Sequence, residues 1–455
     1  MSEQISLPKE FEQRMRASLG SQFDAFLNSL QLQPPTSIRT NPRKREIFPD
    51  AIQVPWTHFG KYLDKRPNFT LDPFFHAGVY YVQEASSMLL EQATRVLELP
   101  PDPLVLDLCG APGGKTTHLL STLSHESLVV SNEVIRSRAN ILAENVIKWG
   151  YNNVIVTNND PKDFEELPGL FDVIVVDAPC SGEGLFRKDM HAMEEWSIRN
   201  TELCRKRQQR ILHDVWKSLK SDGYLIYSTC TYNELENLEN LNLLKKEHDF
   251  VSISIKLRSE WGVVEIQSGN LICYQCYPHR VKGEGFFISV LQKKESQHSL
   301  RIQTKNTFSI PNKQTYEEVR AWLRSTDSRK LIQLKDKVMA LPGNWSNFVE
   351  FLASKLSLVC MGTTLASIKQ NKILPMHDLS VSTDLDSTYF DVLELNQEQA
   401  IKYLRKETIT PDGGDKGYAL VQFEGVPLGW INRLGNRANN LYPKEWRIRM
   451  DPNYQ

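Results

Sequence analysis

Two cysteines, fifty residues apart, each close a strand-like run. They are Cys180 in FDVIVVDAPCSGEGLFRKD and Cys230 in GYLIYSTCTYNELENLE. Open α/β sheets place their ligands and chemistry outside the carboxyl ends of their strands. The thiolate is the nucleophilic form of cysteine. Upstream, LVLDLCGAPGGKTTHLL makes a third edge of the same kind. Two thiols and a cofactor cradle at sheet edges suggest group transfer through a covalent cysteine adduct.

In DLCGAPGGK, Gly110, Gly113 and Gly114 lie between a strand and a helix. Glycine permits positive φ and close approach of a ligand to the backbone. The helix start adds unpaired N–H groups suited to a carboxylate or phosphate. The spacing is not G-x-G-x-x-G, so the dinucleotide fingerprint does not apply and a dehydrogenase is disfavoured. Glu133 ends the next strand roughly 20 residues beyond the glycines, where an acidic side chain accepts from ribose hydroxyls. Asp160 ends the third strand, placed to meet an adenine amine. Each residue alone could equally be a turn former or helix cap. In register along one edge they describe an adenosine with a charged tail, and S-adenosylmethionine fits best.

Strands are expected at 104–108, 127–133, 153–160, 171–179 and 223–230, alternating with helices. Short apolar runs with little alternation belong to a parallel sheet buried on both faces, hence a doubly wound α/β fold. LICYQCYP and EGFFISVLQKK are expected to close it as antiparallel strands. Residues 9–32 read as one amphipathic helix, stopped by Pro34-Pro35, within a small N-terminal domain spanning 1–79. The catalytic unit takes 80–295. Residues 296–387 form a linker and a mostly helical or mixed segment anchored by Trp322, Trp345 and Phe348. The tail, 388–455, contains a hairpin turning at Glu424-Gly425.

The chain has 455 residues and a formal net charge of −1, so any nucleic-acid footprint must be local. Seven irregularly spaced cysteines do not form a disulfide framework, and a reducing compartment fits them. The polar start and the lack of an apolar run of roughly 20 residues point to a cytoplasmic protein with no membrane segment. Cys204 and Cys360 read as packing residues, and Cys273 and Cys276 as strand positions rather than a metal pair; no metal is expected.

With these motifs in place, residues 5–295 resemble the Nol/Nop/Sun family of RNA cytosine-5 methyltransferases. YYVQEASSM, DLCGAPGGKT, Glu133, DAPCSGEG, STCTYNELENLE and YPHRVKGEGFF carry the resemblance. DAPCSGEGLFRKD and LGWINRLGNRANNLYP look like the bacterial RsmF-like subgroup that acts on 16S ribosomal RNA. Gly110 stands where that family usually has alanine, a departure not expected to harm binding. The resemblance implies a Rossmann-like methyltransferase core with a β-rich, PUA-like RNA-binding tail. It implies Cys230 as the nucleophile at C6 of cytosine and Cys180 as the group that helps remove the C5 proton and release product. Asp177 would hold the base near N3, with Lys115 beside it. The cofactor would lie against Cys109, Gly110, Ala111, Pro112, Gly113, Gly114, Lys115, Glu133, Arg138, Asp160 and Asp177.

A base inside A-form RNA is out of a thiol's reach, so the target must be single-stranded, looped or flipped out. Three basic stretches, Arg39–Arg45, Arg205–Arg210 and Arg433–Arg449, are candidate phosphate contacts. The last is the strongest, because Trp430, Tyr442 and Trp446 are interleaved with its cations and could stack on bases. The partner expected is 16S rRNA in a 30S particle or assembly intermediate, met by a monomer. Three alternatives stay open at this point: a tRNA enzyme, a DNA cytosine-5 methyltransferase, and a non-catalytic assembly factor that binds S-adenosylmethionine.

Overall fold

The computed structural model describes residues 7–298, 300, 302, 308–324, 329–370, 372–410, 413–435 and 437–450. The apolar stripe of residues 9–32 is two helices, not one. Lys9–Leu19 (α1) stops at Gly20, whose φ of 52° breaks the helix, and Phe23–Leu30 (α2) resumes after a single tight turn. The pair buries Phe11, Met15, Phe23 and Phe26 against Phe186, Trp196, Tyr232 and Tyr277. Both thiol-bearing loops therefore sit beside the N-terminal helices.

A four-stranded antiparallel sheet follows, from Thr36–Thr40 (β1), Ile52–Gln53 (β2), Gly60–Leu63 (β3) and Tyr80–Val82 (β4), in the order β2-β3-β1-β4. Residues 80–82 thus pair with the N-terminal sheet, beyond the boundary expected at 79. Two short helices, Pro73–His76 (α3) and Leu90–Arg95 (α4), flank this junction.

The main sheet is built on Leu104–Asp107 (β5), Leu128–Asn132 (β6), Val154–Thr157 (β7), Phe171–Asp177 (β8) and Leu219–Thr229 (β9), all parallel in the order β7-β6-β5-β8-β9. Its crossovers carry Gly114–Thr122 (α5), Arg136–Trp149 (α6), Met190–Glu195 (α7) and Ile198–Trp216 (α8). Alternate residues feed opposite cores: Leu104, Leu106, Ile174 and Val176 enter one, and Val105, Val173 and Val175 the other. A sheet covered on both faces needs such continuous apolar strands. Strand order reverses direction between β5 and β8, and that switch point opens the crevice in which such folds bind ligands. Beyond β9 come Leu238–Glu247 (α9) and four strands, Phe250–Ile253 (β10), Val264–Ser268 (β11), Leu271–Cys276 (β12) and Phe286–Lys293 (β13). β13 pairs antiparallel with β9, and β12 with β13, as expected from sequence.

The segment after residue 312 mixes helices with strands. Helix Lys313–Ala321 (α10) leads into the hairpin Arg329–Leu334 (β14) and Lys337–Pro342 (β15). Helix Ser346–Ala353 (α11) is followed by Leu358–Met361 (β16), Thr363–Lys369 (β17), Lys372–Pro375 (β18) and helix His377–Val381 (α12). β14, β15, β17 and β18 make a separate antiparallel sheet, while β16 joins the main sheet beside β7. Trp322 and Phe348 are buried anchors, in two different cores. Part of the expected linker, including residues 303–307, lies outside the described residues.

The tail pairs Asp391–Leu395 (β19) in parallel with Gly417–Phe423 (β20), across helix Gln397–Leu404 (α13); Val426–Arg433 (β21) and Ala438–Asn440 (β22) complete the sheet. The β20–β21 hairpin turns at Glu424 and Gly425, both with positive φ (46° and 75°), the geometry of the tight turns that match strand twist. Ile38, Phe69 and Tyr80 share one core with Tyr403, Val421, Ile431 and Tyr442, so first and last domains pack together.

Candidate active site

β8 and β9 are parallel neighbours with Asp177 opposite Ser228, so the loops that leave their ends emerge side by side. This register brings Cys180 and Cys230 together, with their sulfurs 3.1 Å apart and both half-buried. The hydrogen bond to the Cys230 sulfur, reinforced by burial and by the nearby Glu236 carboxylate, pushes the Cys180 thiol well above the usual thiol range. Cys180 therefore keeps its proton in the resting site.

Asp177, at the end of β8, accepts hydrogen bonds from Ser228 Oγ at 2.8 Å and Lys115 Nζ at 2.7 Å. Lys115 sits in the first turn of α5 with its ammonium 5.1 Å from the Phe286 ring centroid. Burial alone would lower its pKa, but the Asp177 carboxylate overrides that and holds it above a free lysine's. The Lys115–Asp177 pair joins the glycine turn to the thiols.

The turn itself is held from below. Gly113 has a φ of 116° and caps α5. Asp107 is fully buried at the end of β5 and accepts from Thr116 Oγ1 at 2.6 Å, and Thr116 meets Ser131 Oγ at 2.8 Å. Burial raises the Asp107 carboxyl to about 7, and its Oδ1 has no hydrogen-bond partner. A Cβ at Gly110 would collide with Ser131 Oγ. Glycine in the usual alanine position is thus matched to the hydroxyl beneath it.

Glu133 lies just past β6, 2 % exposed, accepting from Ile135 N at 3.0 Å and pairing with Arg138 at 3.2 Å. Arg138 in turn donates to Ala111 O at 3.0 Å, and Asn145 donates to Pro112 O at 2.8 Å, tying α6 to the loop. A carboxylate at the β6 end, a glycine turn at a helix start and a buried carboxylate oxygen lacking a donor together fit S-adenosylmethionine. Asp160 lies three residues past the end of β7. It caps the 3₁₀ turn Pro161–Glu166 through Lys162 N and stands 3.4 Å from Arg210 Nη2.

The remaining cysteines separate cleanly. Cys204, Cys273 and Cys276 are buried; Cys109 and Cys360 are half-buried. Cys273 and Cys276 are three apart on β12, so they face opposite sides of the sheet and enter different cores. They share no ligand.

The basic stretches fare differently from one another. Arg39 is 0 % exposed and is structural: it donates to Gln83, to Ser121 and to Thr117 O and Gly114 O of α5, over the Trp149 ring. Lys44 donates to two backbone carbonyls, Ala77 O and Lys148 O, and burial lowers it to about 7. Arg205 pairs with Glu202 and Glu239. In the tail, Trp430 and Tyr442 are each 1 % exposed and fill the core, and Trp446 packs on His377. Trp430 and Tyr442 are therefore no stacking face, because the fold of the tail turns them inward, whereas Trp446 is half-buried. Arg433 is buried beside Asp391, whereas Arg437, Lys444, Arg447 and Arg449 are exposed.

Sequence reading missed Asp107, the buried carboxylates Glu183 and Glu236, and the structural role of Arg39. The first three lie inside motifs already quoted, but a carboxylate's burial is invisible until its partners are in place. Among the described residues, no helix is long and apolar enough to cross a membrane.

A doubly wound sheet with this cradle at its switch point defines an S-adenosylmethionine-dependent methyltransferase, with two cysteines side by side past the neighbouring strand ends. Sequence models of known domains match in order along the chain. The N-terminal domain of 16S rRNA methyltransferase RsmF matches residues 7–85, 16S rRNA methyltransferase RsmB/F matches 94–292, and the methyltransferase RsmF PUA domain matches 390–448. Ribosomal RNA small subunit methyltransferase F of Shewanella oneidensis is 30% identical, over 81% of this chain and 79% of its own. The protein of the same name from Erwinia tasmaniensis is 29% identical over 97% of each. The chain belongs to the RsmB/F methyltransferase family. Among solved structures, a methyltransferase homolog from Pyrococcus horikoshii is 25% identical with a TM-score of 0.54, over 63% of this chain and 95% of that one. NSun6 from Pyrococcus horikoshii with SFG, 21% identical with a TM-score of 0.54 over 64% and 99%, shares the fold.

Proposed function

We propose that this protein methylates C5 of a cytosine in 16S ribosomal RNA through a covalent adduct between Cys230 and C6 of the base. The relatives' names supply the substrate, and the two sulfurs at 3.1 Å carry the chemistry. C5 of cytosine is a poor nucleophile. Addition of the Cys230 thiolate at C6 forms an S–C6 bond and makes C5 enamine-like. As the bond to C6 forms, N3 takes a proton from solvent, which removes the developing negative charge; the N3–H then donates to Asp177, anchored by Lys115 and Ser228, and the proton returns to solvent on release. When bound in the cradle, S-adenosylmethionine supplies an electrophilic methyl group; Glu133 and the Gly110–Gly114 turn would hold it.

Once Cys230 is alkylated, its hydrogen bond and charge no longer hold the Cys180 thiol up, and only burial and Glu236 still do. Cys180 then loses its proton to solvent and, as thiolate, takes the proton from C5. The C5–C6 double bond re-forms, the S–C6 bond breaks, and Cys230 leaves as thiolate. A second cysteine, Cys230 in the TCTY motif, beside the Pro-Cys residue favours RNA-type chemistry over the DNA type, where the Pro-Cys residue attacks. The enzyme would meet its RNA as a cytoplasmic monomer, within a 30S particle or assembly intermediate, with Glu133, Arg138 and Asp160 lining the cofactor edge.

The test separates the thiols. With 16S RNA and S-adenosylmethionine, Cys230→Ala should be inactive and form no adduct. Cys180→Ala should methylate and stall as a protein–RNA complex that survives denaturing electrophoresis, and the double variant should behave like Cys230→Ala. Adduct in Cys230→Ala with none in Cys180→Ala would reverse the roles.

A further inference from the structure

The two thiol loops exchange buried glutamates. Glu183, three residues after Cys180, is 0 % exposed and reaches across to the other loop, where its carboxylate accepts from Tyr232 N at 3.2 Å and Asn233 Nδ2 at 3.3 Å. Glu236, six residues after Cys230, is also 0 % exposed and reaches back, accepting from Ser181 N at 2.9 Å and Ser181 Oγ at 2.5 Å. A backbone bond from Gly184 N to Cys230 O at 2.8 Å lies between them. Each carboxylate is also fixed from outside its loop. Glu183 receives Arg14 Nη2 of α1 at 2.5 Å and Trp196 Nε1 at 2.9 Å; Glu236 receives Gln208 Nε2 of α8 at 2.9 Å.

We infer that Glu183 and Glu236 are positioning residues that set the separation of the two sulfurs, and so the coupling of attack to release. The inference rests on the proposed division of labour between Cys230 and Cys180. A buried carboxylate has no good alternative to these partners, because leaving it unpaired carries its full desolvation cost. Its hydrogen bonds to main-chain N–H groups are charge-assisted and stronger than neutral ones. Two such links running in opposite directions restrain both translation and rotation of one loop against the other, which one link cannot do. Neither carboxylate is required by the adduct chemistry itself, and neither lines the glycine cradle. Arg14 extends the device to the N-terminal helices: seating of α1 completes the bonding of Glu183.

Glutamine is nearly isosteric, but it offers one acceptor where both carboxylate oxygens accept. The assay is oxidation of the full-length protein by diamide, following the Cys180–Cys230 disulfide by mass spectrometry of the linked peptides. This reads sulfur separation directly and needs no RNA. The unsubstituted protein should cross-link fast; Glu183→Gln and Glu236→Gln should slow the reaction by about tenfold or more, the kinetic size of one such lost interaction. Affinity for S-adenosylmethionine should stay within about twofold, and with RNA kcat should fall at unchanged KM. Glu239→Gln, on the exposed side of α9, should behave as the parent. Cross-linking at the parental rate in both glutamine variants would overturn the inference, whichever cysteine proves to be the nucleophile. If either variant loses cofactor binding, Ser181→Ala, which removes the hydroxyl that meets Glu236 and Thr231 and leaves both glutamates in place, must show the same slowing or the inference fails.

Discussion

Gly110 sits directly over Ser131, and introducing alanine there measures how tightly the cradle is built. A Cβ at 110 meets Ser131 Oγ first and lies 3.1 Å from Thr116 Oγ1 and 3.3 Å from Asp107 Oδ2. All three neighbours are 0 % exposed, so none can swing into solvent. Forcing a methyl into a packed site costs about 1–3 kcal/mol, and displacing Ser131 from Thr116 adds the loss of a buried hydrogen bond, about 0.5–1.5 kcal/mol. The total for Gly110→Ala is about 1.5–4.5 kcal/mol. For a unit of this size that is a fall in Tm of roughly 3–18 °C. Ser131→Ala alone should cost only the hydrogen bond, because Thr116 keeps its bond to Asp107. In Gly110→Ala/Ser131→Ala the methyl takes the space the hydroxyl vacates, so the double variant should be more stable than Gly110→Ala, with a coupling energy of about 1–3 kcal/mol. Thermal unfolding of the four proteins, with calorimetric titration of S-adenosylmethionine, closes the cycle. Additive losses, or a Gly110→Ala protein as stable as the parent, would refute the steric reasoning.

Burial raises the Asp107 carboxyl from an unfolded value near 3.8 to about 7. A carboxyl raised in this way favours folding at low pH, and that contribution is lost as pH climbs from about 4 to about 7. Urea denaturation of cofactor-free protein should show the stability of the parent, relative to Asp107→Asn, falling across that window; a constant difference would contradict the assignment. Glu133→Ala should weaken S-adenosylmethionine binding by about 1–3 kcal/mol in a folded protein, and unchanged calorimetric affinity would remove Glu133 from the cofactor edge. Arg437→Gln, Arg447→Gln and Arg449→Gln should each lower the salt-dependence slope of RNA binding by about 1 with stability unchanged. Trp430→Ala should instead cost about 3–5 kcal/mol of stability, and a stable Trp430→Ala protein with weakened RNA binding would restore the stacking role to the tail.

Sequence alone was enough for the alternation of strand and helix, the glycine cradle, the closing antiparallel strands and the Glu424–Gly425 turn. Each depends on residue type and short-range spacing, and those forces act within a few positions of the chain. The same local logic placed Cys180 and Cys230 at strand ends, but their meeting at 3.1 Å required β8 and β9 to be neighbours in register. Local reading failed where the deciding partner was distant. Arg39 looked like a phosphate contact, and it is buried by α5, some 75 residues on. Trp430 and Tyr442 looked like a stacking face, and they are covered by α12, α13 and the N-terminal sheet. Nothing in the local sequence singles out Glu183 and Glu236; the opposite loop supplies their donors. Burial of a polar group is tolerated only when it is paired, and pairing across the fold is a property of the tertiary structure that no spacing along the chain encodes.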